Sequence, residues 1–205
     1  FQQRFSVEEL VRLALRGGAD TIQFRRKTGT MRDKLAALEV VRDECHTFSI
    51  PLIVDDHLDL ALLVDADGVH LGQEDIPISE ARQLLQALPR QMIIGATVTT
   101  SKQAIEAERD GADYLGFGPV FETSSKENPA PVKGLEGLRD ATTAVHIPVV
   151  AIAGVTLDRV QPVLAAGAHG VAVMTAISTA ENPEHMTRKF CAEIERVESE
   201  IRRTT

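Results

Sequence analysis

Three polar side chains at the end of an early apolar segment have the spacing of an anion-binding face. The segment TIQFRRK places Gln23, Arg25 and Lys27 two residues apart, so they lie on one face of a strand while Phe24 and Arg26 lie on the other. Arginine offers phosphate oxygens a planar fork, and lysine offers a point charge. The spacing predicts a phosphate-binding face, with a merely solvated strand end as the alternative.

Carboxylates follow the next two apolar segments. Asp56 comes near the end of PLIVDDH, on the face expected for Leu52 and Val54, and Asp75 ends VHLGQED. Because the carboxyl ends of neighbouring parallel strands meet at one edge of a sheet, the two acids are expected to lie close together. Protein sites for Mg²⁺ commonly use one or two carboxylates, with substrate phosphates and water completing the shell. The pair predicts a magnesium site, and loop capping is the alternative.

Small and hydroxylated residues follow the later apolar segments. Thr123, Ser125 and Lys126 belong to a loop whose hydroxyls and ammonium could fold over a phosphate. Gly154 and the segment 173–177 follow the last two apolar runs, where barrels often bind phosphate through backbone N–H groups at a short helix. These features predict a second phosphate site. A solvated loop and glycines that ease tight turns are the alternatives.

Seven apolar segments, each ending in polar, charged or glycine residues, are the strands expected to position these groups. They are TIQFRRK, PLIVDDH, VHLGQED, IIGATVTT, YLGFGPVFETSSK, VVAIAGV and GVAVMTAIS. Glycine or alanine turns after amphipathic stretches mark the ends of helices between them. The alternation predicts parallel strands joined by right-handed helical crossovers.

This order predicts one α/β domain over residues 1–205, a (β/α)8 TIM barrel with its site at the carboxyl ends of the strands. Ser6 and Glu9 form a capping box that opens a helix over residues 7–16, almost at the start of the sequence. The first strand of the barrel is therefore expected to be absent from the numbered chain. An open doubly wound sheet is the alternative fold. The interval 119–134 is expected to be a long loop.

Composition excludes several classes of function. The 205 residues are 43% hydrophobic and carry a formal net charge of −8, which disfavours nucleic acid and anionic membranes as partners. Cys45 and Cys191 stand far apart and outside any zinc-binding pattern, so reduced thiols are expected. Neither a signal peptide nor a membrane anchor is visible in the sequence, and a cytoplasmic protein is expected.

Several ordered motifs together resemble the thiamine phosphate synthase family, which also contains thiazole tautomerases. The motifs are residues 23–27, 54–56, 68–75, 116–119, 123–126 and 153–154. The resemblance extends from residue 18 to about residue 183. It implies a complete barrel whose first strand precedes Phe1.

The resemblance also implies a reaction between two small molecules. Hydroxymethylpyrimidine diphosphate loses pyrophosphate, and the thiazole nitrogen of hydroxyethylthiazole phosphate captures the pyrimidinylmethyl cation to give thiamine phosphate. Carried over by position, the diphosphate is bound by Gln23, Arg25, Lys27 and Lys126, and the three cations of this set are catalytic. Mg²⁺ is held by Asp56 and Asp75. Substrate phosphates are contacted by Thr123, Ser125 and Gly154, with Thr175 at the second phosphate.

Departures from the family pattern affect charge and pyrimidine recognition. Asp55 stands where the family usually has Asn, and it should repel a diphosphate unless it turns outward, pairs with His57 or approaches the metal. The usual Ser-x-His reads Thr97-Val98-Thr99, which keeps hydroxyls and loses an imidazole. Asp55 and Thr97 complete the expected substrate-binding set.

Two alternatives to the synthase are left by this reasoning. A thiazole tautomerase would need a proton-transfer group and no metal, but that branch tends to carry His where Pro119 stands. The second alternative is a non-catalytic sensor of thiamine precursors, which the changes at Asp55 and Thr99 leave open. In each case the expected partners are small molecules, and neither nucleic acid nor membrane is expected.

Overall fold

A single sheet of seven parallel strands forms the centre of the described protein. The computed structural model describes residues 4–89, 91–123 and 131–204, so Ser125 and Lys126 lie outside the described residues. The strands are β1 (Ile22–Phe24), β2 (Leu52–Asp55), β3 (Gly68–Leu71), β4 (Ile93–Val98), β5 (Tyr114–Phe117), β6 (Val149–Ile152) and β7 (Gly170–Ala172). They pair in chain order from β1 to β7, which confirms the seven predicted strands and their parallel direction.

Helices precede, connect and follow the strands. They are α1 (Val7–Arg16), α2 (Met31–Phe48), α3 (Leu58–Leu63), α4 (Ile78–Gln86), α5 (Ser101–Arg109), α6 (Gly134–Ala144), α7 (Val160–Ala165), α8 (Thr175–Ser178) and α9 (Pro183–Thr204), with a 3-10 turn at Leu157–Arg159. The predicted capping box is present: Glu9 N donates to Ser6 Oγ at 3.1 Å, and Ser6 N donates to Glu9 Oε2 at 2.9 Å. This box fixes the start of α1.

The strands turn alternate residues toward the helices and toward the concave side. Phe24, Leu52 and Val54 are buried in one apolar cluster with residues of α1 and α2. The register pairs Phe24 with Val54 and Asp55 with His70, so Asp55 and His70 lie on the opposite, inward face. Asp56 has a left-handed φ of 65°, and the alternation predicted for Leu52, Val54 and Asp56 therefore ends at Asp55.

The outer helices close around the sheet more completely than the strands do. Helix α9 packs against both α1 and α7. The approach to α1 is close, because a Cβ added at Gly17 would lie 2.5 Å from the Cβ of Thr187. Within the described strands, β1 pairs only with β2 and β7 only with β6. The fold is thus a curled parallel α/β sheet of barrel type, and an eight-stranded closed barrel is not formed by the described residues.

Two smaller expectations concern thiols and membranes. Cys45, which is buried, and Cys191, which is partly exposed, are both free thiols, as expected. No described helix combines the length and the apolar character needed to span a bilayer.

Candidate active site

Inward side chains of four adjacent strands form one layer of the site. The register places Asp55, His70, Gly95 and Tyr114 side by side. A Cβ added at Gly95 would overlap the Tyr114 ring and lie 2.5 Å from His70 Nδ1. Glycine is therefore required at this point of β4 to let the two rings meet across the strand.

His70 is held between two hydroxyl groups. Its Nδ1 lies 2.9 Å from the Tyr114 hydroxyl oxygen, and its Nε2 lies 2.8 Å from Thr97 Oγ1. The ring is only 4% exposed, and burial lowers the pKa of His70 to about 4. Burial, with the nearby Asp55 charge, raises the pKa of Tyr114. The pair is therefore a neutral imidazole and an undissociated phenol at neutral pH.

Asp55 is buried beside two residues of β1 and its continuation. Gln23 Nε2 donates to Asp55 Oδ1 at 2.8 Å, and Arg25 Nε lies 3.3 Å from Asp55 Oδ2. Burial, together with the charge of Asp56, raises the pKa of Asp55 to about 6 although Lys27 and Arg25 oppose the shift. Asp55 therefore neither turns outward nor pairs with His57, two of the arrangements considered from sequence. It pairs instead with Arg25, a cation expected to bind substrate.

The expected metal ligands lie together beside Lys27. The Lys27 ammonium contacts Asp56 Oδ2, and a hydrogen bond joins the Asp56 and Asp75 carboxyl groups. Gly72 N donates to Asp75 Oδ2 at 2.6 Å. Burial opposes ionisation of Asp56, but Lys27 outweighs it and lowers the pKa of Asp56. Burial and the Asp56 charge raise the pKa of Asp75, although the hydrogen bond from Gly72 and the charge of Lys27 oppose the shift.

This pair of acids has the composition of a substrate-completed cation site. Across the part of the chain that the structure describes, no group of three or more His, Cys, Asp or Glu side chains could hold a metal ion. Mg²⁺ is commonly bound by one or two carboxylates, with phosphate and water completing its shell. Asp56 and Asp75 therefore fit Mg²⁺ only where a ligand supplies further oxygens.

A cleft of about 470 Å³ opens beside the two acids, between α3 and α4. Acidic and apolar residues line it together, including Asp56, Asp75, Glu74, Leu58, Leu62 and Leu84. His57 also lines the cleft, and its Nε2 lies 2.8 Å from the Nζ of Lys34, a lysine only 9% exposed. The space provides access from solvent to the Asp56 and Asp75 pair.

The remaining expected phosphate contacts belong to other strands. Gly154 follows β6 with φ of 67°, and a Cβ there would lie 2.7 Å from the Cβ of Phe121. Arg159 Nη1 donates to the Gly154 carbonyl at 2.6 Å, and the Cζ atom of Arg159 lies over the Phe121 ring, 4.4 Å from its centre. Thr175 begins α8 after β7, and Thr123 follows β5. These residues sit at the ends of β5 to β7, whereas Lys27, Asp56 and Asp75 follow β1 to β3.

A chain of hydrogen bonds runs from Thr99 through two glutamines to the backbone of Thr97. Thr99 N and Oγ1 donate to Gln103 Oε1 at 2.8 and 3.0 Å. Gln103 Nε2 donates to Gln73 Oε1 at 3.2 Å, and Gln73 Nε2 donates to the Thr97 carbonyl at 2.7 Å. These bonds join the loop after β3 to the end of β4 and the start of α5, and they fix the backbone that carries Thr97.

Sequence reasoning gave His70 no role and missed Tyr114 and Gln103. One signal was available for the first two. Gly95 interrupts an otherwise apolar strand, and such a glycine marks the close approach of neighbouring groups. A signal for Gln103 was also available, because Thr100 and Gln103 have the spacing of a capping box at the start of α5, and Gln103 N donates to Thr100 Oγ1 at 3.2 Å.

Comparison with known proteins identifies the family of this chain. Residues 2–177 match the family model described as thiamine monophosphate synthase. A thiamine-phosphate synthase of Salinibacter ruber is 57% identical over 96% of this chain and 85% of its own length. One of Natronomonas pharaonis is 44% identical over 94% of this chain and 89% of its own length.

A solved structure extends the likeness to three dimensions. The thiamine phosphate pyrophosphorylase of Pyrococcus furiosus superposes with a TM-score of 0.86 at 42% identity, over 96% of this chain and 92% of that protein. Sequence and fold both point to one group of enzymes. The chain belongs to the thiamine monophosphate synthase family, and it is a transferase of thiamine biosynthesis.

Proposed function

We propose that this enzyme joins hydroxymethylpyrimidine diphosphate to hydroxyethylthiazole phosphate, giving thiamine phosphate and pyrophosphate. One observation carries the proposal: Lys27 contacts Asp56 beside Asp75, so a cation and two acids that follow three adjacent strands meet at one end of the sheet. Such a group suits a diphosphate that is bound together with a divalent cation.

The chemistry is a substitution at the pyrimidinylmethyl carbon. The bond from this carbon to the diphosphate oxygen breaks, and both bonding electrons leave with pyrophosphate. The lone pair of the thiazole nitrogen then forms the new carbon–nitrogen bond. No nucleophile or general base of the protein is required, so the protein's task is to bind the two reactants in order and to stabilise the charge that develops.

Cationic side chains lower the barrier because the departing diphosphate gains negative charge. Lys27 and Arg25 are placed beside the acids before substrate arrives, and preorganised cations stabilise the transition state more than the ground state. Gln23 adds an amide donor next to Arg25. Lys126, outside the described residues, is proposed as the third cation on the same diphosphate.

Asp56 and Asp75 are proposed to hold Mg²⁺. When bound, the ion would neutralise charge on the diphosphate and so make it a better leaving group. Lys27 would then exchange its contact with Asp56 for contact with a phosphate oxygen.

The second substrate is proposed to bind near the ends of β5 to β7. Gly154 exposes backbone in a tight turn, and Thr175 begins the short helix that follows β7. We propose that these residues bind the thiazole phosphate, with Thr123 and Ser125 contributing hydroxyls to substrate phosphates. Thr97 and Asp55, on the inner face between the two ends of the sheet, are proposed to face the pyrimidine.

The finer form of the fold is part of this proposal. We propose one domain with (β/α)8 architecture, in which a further strand lies between the unpaired edges of β1 and β7. The packing of α9 against both α1 and α7 supports it, because the helical layer already spans that gap. Free thiols and the absence of a described membrane-spanning helix fit the cytoplasm, which we propose as the location.

The deciding experiment is synthesis from the two purified precursors. Protein with both substrates and Mg²⁺ should form thiamine phosphate and pyrophosphate in equal amounts, and a chelator should stop the reaction. Asp43→Asn, which changes an exposed carboxylate of α2 away from the cleft, is the matched control for Asp56→Asn and Asp75→Asn. Absence of product would refute the proposed reaction, and equal product with chelator would refute only the metal assignment.

A further inference from the structure

A neutral imidazole confined between two hydroxyls lies inside the sheet. His70 Nδ1 is 2.9 Å from the Tyr114 hydroxyl oxygen and Nε2 is 2.8 Å from Thr97 Oγ1. The ring fills the space that two glycines leave open. A Cβ at Gly95 would lie 2.5 Å from His70 Nδ1, and one at Gly116 would lie 3.0 Å from Cε1. The ring is therefore held in one orientation.

The two hydroxyls cannot play the same role toward this ring. A neutral imidazole has one N–H donor and one acceptor nitrogen, so one hydroxyl donates to the ring and the other accepts from it. Both ring nitrogens have these hydroxyls as their described partners. A phenol is a stronger donor and a weaker acceptor than an aliphatic hydroxyl, because its ring withdraws charge from the oxygen. Tyr114 therefore donates to Nδ1, and the Nε2–H group donates to Thr97 Oγ1.

This direction decides what Thr97 can offer a ligand. Its oxygen already accepts a hydrogen bond from His70, while its own proton is not used by the ring. Thr97 lies on the inner face of β4 in register with Gly116 of β5, which has no side chain, and it is partly exposed. Were the direction reversed, the Thr97 proton would be donated to His70 and only a lone pair would face the cavity.

We infer that Tyr114 is a positioning residue that fixes the His70 tautomer and so makes the Thr97 hydroxyl a hydrogen-bond donor toward an acceptor nitrogen of the substrate's heteroaromatic ring. The inference rests on the proposed function, since it specifies how the pyrimidine is read. A substrate ring with an N–H group at this position would place its own donor against the Thr97 donor, and such a ring would be rejected. Tyr114 acts through His70 and Thr97 and touches no reacting atom.

The tautomer can be measured without any turnover. Nitrogen NMR of the free protein labelled at histidine, with the His70 signals identified by their loss in His70→Gln, should show the proton on Nε2. Tyr114→Phe keeps the aromatic ring and removes the donor to Nδ1, so the Nδ1 signal should shift toward that of an acceptor nitrogen without a hydrogen bond. A wild-type protein with its proton on Nδ1, or an unchanged Nδ1 signal in Tyr114→Phe, would overturn the inference.

Kinetics test the consequence for the substrate. Tyr114→Phe should raise KM for the pyrimidine diphosphate about tenfold, the scale of one lost hydrogen bond, with a much smaller change in kcat. Thr97→Val should do the same, Thr97→Ser should restore binding, and the Tyr114→Phe/Thr97→Val double variant should be no worse than Thr97→Val alone. Additive losses would overturn the inference.

A remote hydroxyl supplies the control. Thr142 Oγ1 donates to the Ala166 carbonyl at 2.9 Å, and Thr142→Val removes a partly buried hydroxyl away from the site. It should leave the His70 tautomer and the substrate KM unchanged. If the wild-type protein makes no thiamine phosphate, the proposed function fails, whereas the NMR result still decides the role of Tyr114.

Discussion

Arg25 Nε lies 3.3 Å from the Oδ2 atom of Asp55, so a cation suited to bind diphosphate is paired with a buried acid of the next strand. Lys27 is paired with Asp56 in the same way. Arg25 and Lys27 are thus both partly neutralised in the free protein. A diphosphate must compete with these carboxylates for the two cations. The outcome differs for the two pairs, because Asp56 would gain Mg²⁺ in place of Lys27, whereas Asp55 would gain no cation in place of Arg25.

Asp55→Asn should strengthen binding of the diphosphate. The amide oxygen can still accept from Gln23, while the negative charge beside Arg25 disappears. We expect KM for the pyrimidine diphosphate, and the inhibition constant of pyrophosphate, to fall about fivefold, the effect of roughly 1 kcal/mol. Steady-state kinetics with Asp43→Asn as the control measures this. A higher KM would instead mean that Asp55 is needed to orient Arg25.

The same substitution should change how stability depends on pH. Asp55 has a pKa of about 6 in the folded protein, above the value near 3.9 of an unfolded chain, so the folded state binds more protons between these values. Stability from this group is present below about pH 4 and is lost as pH rises through 6. Asp55→Asn should therefore gain about 2 kcal/mol relative to wild type between pH 4 and pH 7. Urea unfolding at both pH values tests this, and a constant difference would contradict it.

The strands and the first helix could be predicted because their signals are local. Alternation identified Gln23, Arg25 and Lys27 as one group, and the Ser6 and Glu9 box fixed the start of α1. The meeting of Asp56 with Asp75 followed from parallel strand order alone. In each case residues close in sequence, or a general rule of topology, decided the result.

The partners of Asp55 and His70 could not be predicted in this way. The pairing of Asp55 with Arg25 follows from the register between β1 and β2, which places them one step beyond the pair Phe24 and Val54. Tyr114 lies 44 residues from His70 and reaches it across a strand that stands between them. These contacts depend on tertiary register, which no short sequence pattern reports.

Lys27→Met should separate cation binding from substrate binding. Removal of the ammonium frees Asp56 from a competitor, so Mn²⁺, used as a probe for Mg²⁺, should bind the free variant severalfold more tightly. The diphosphate loses a cation, and kcat/KM should fall about 100-fold or more. Calorimetry and kinetics measure the two effects. Lys102→Met, at a side chain 85% exposed on α5, should change neither. Weaker Mn²⁺ binding by Lys27→Met would show that Lys27 does not compete for Asp56.

Gly95→Ala should destabilise the fold through the inner layer. The added Cβ would overlap the Tyr114 ring and lie 2.5 Å from His70 Nδ1, and neither ring can move away within a packed sheet. We expect a loss of about 2 to 3 kcal/mol in the free energy of unfolding, measured in urea. Gly170→Ala on β7 is the matched control, because a Cβ there has no atom within 4 Å and should cost little. Combining Gly95→Ala with Tyr114→Val should recover part of the loss by emptying the space beside the new methyl group. Equal stability of Gly95→Ala and Gly170→Ala would mean that the two rings are not packed across β4.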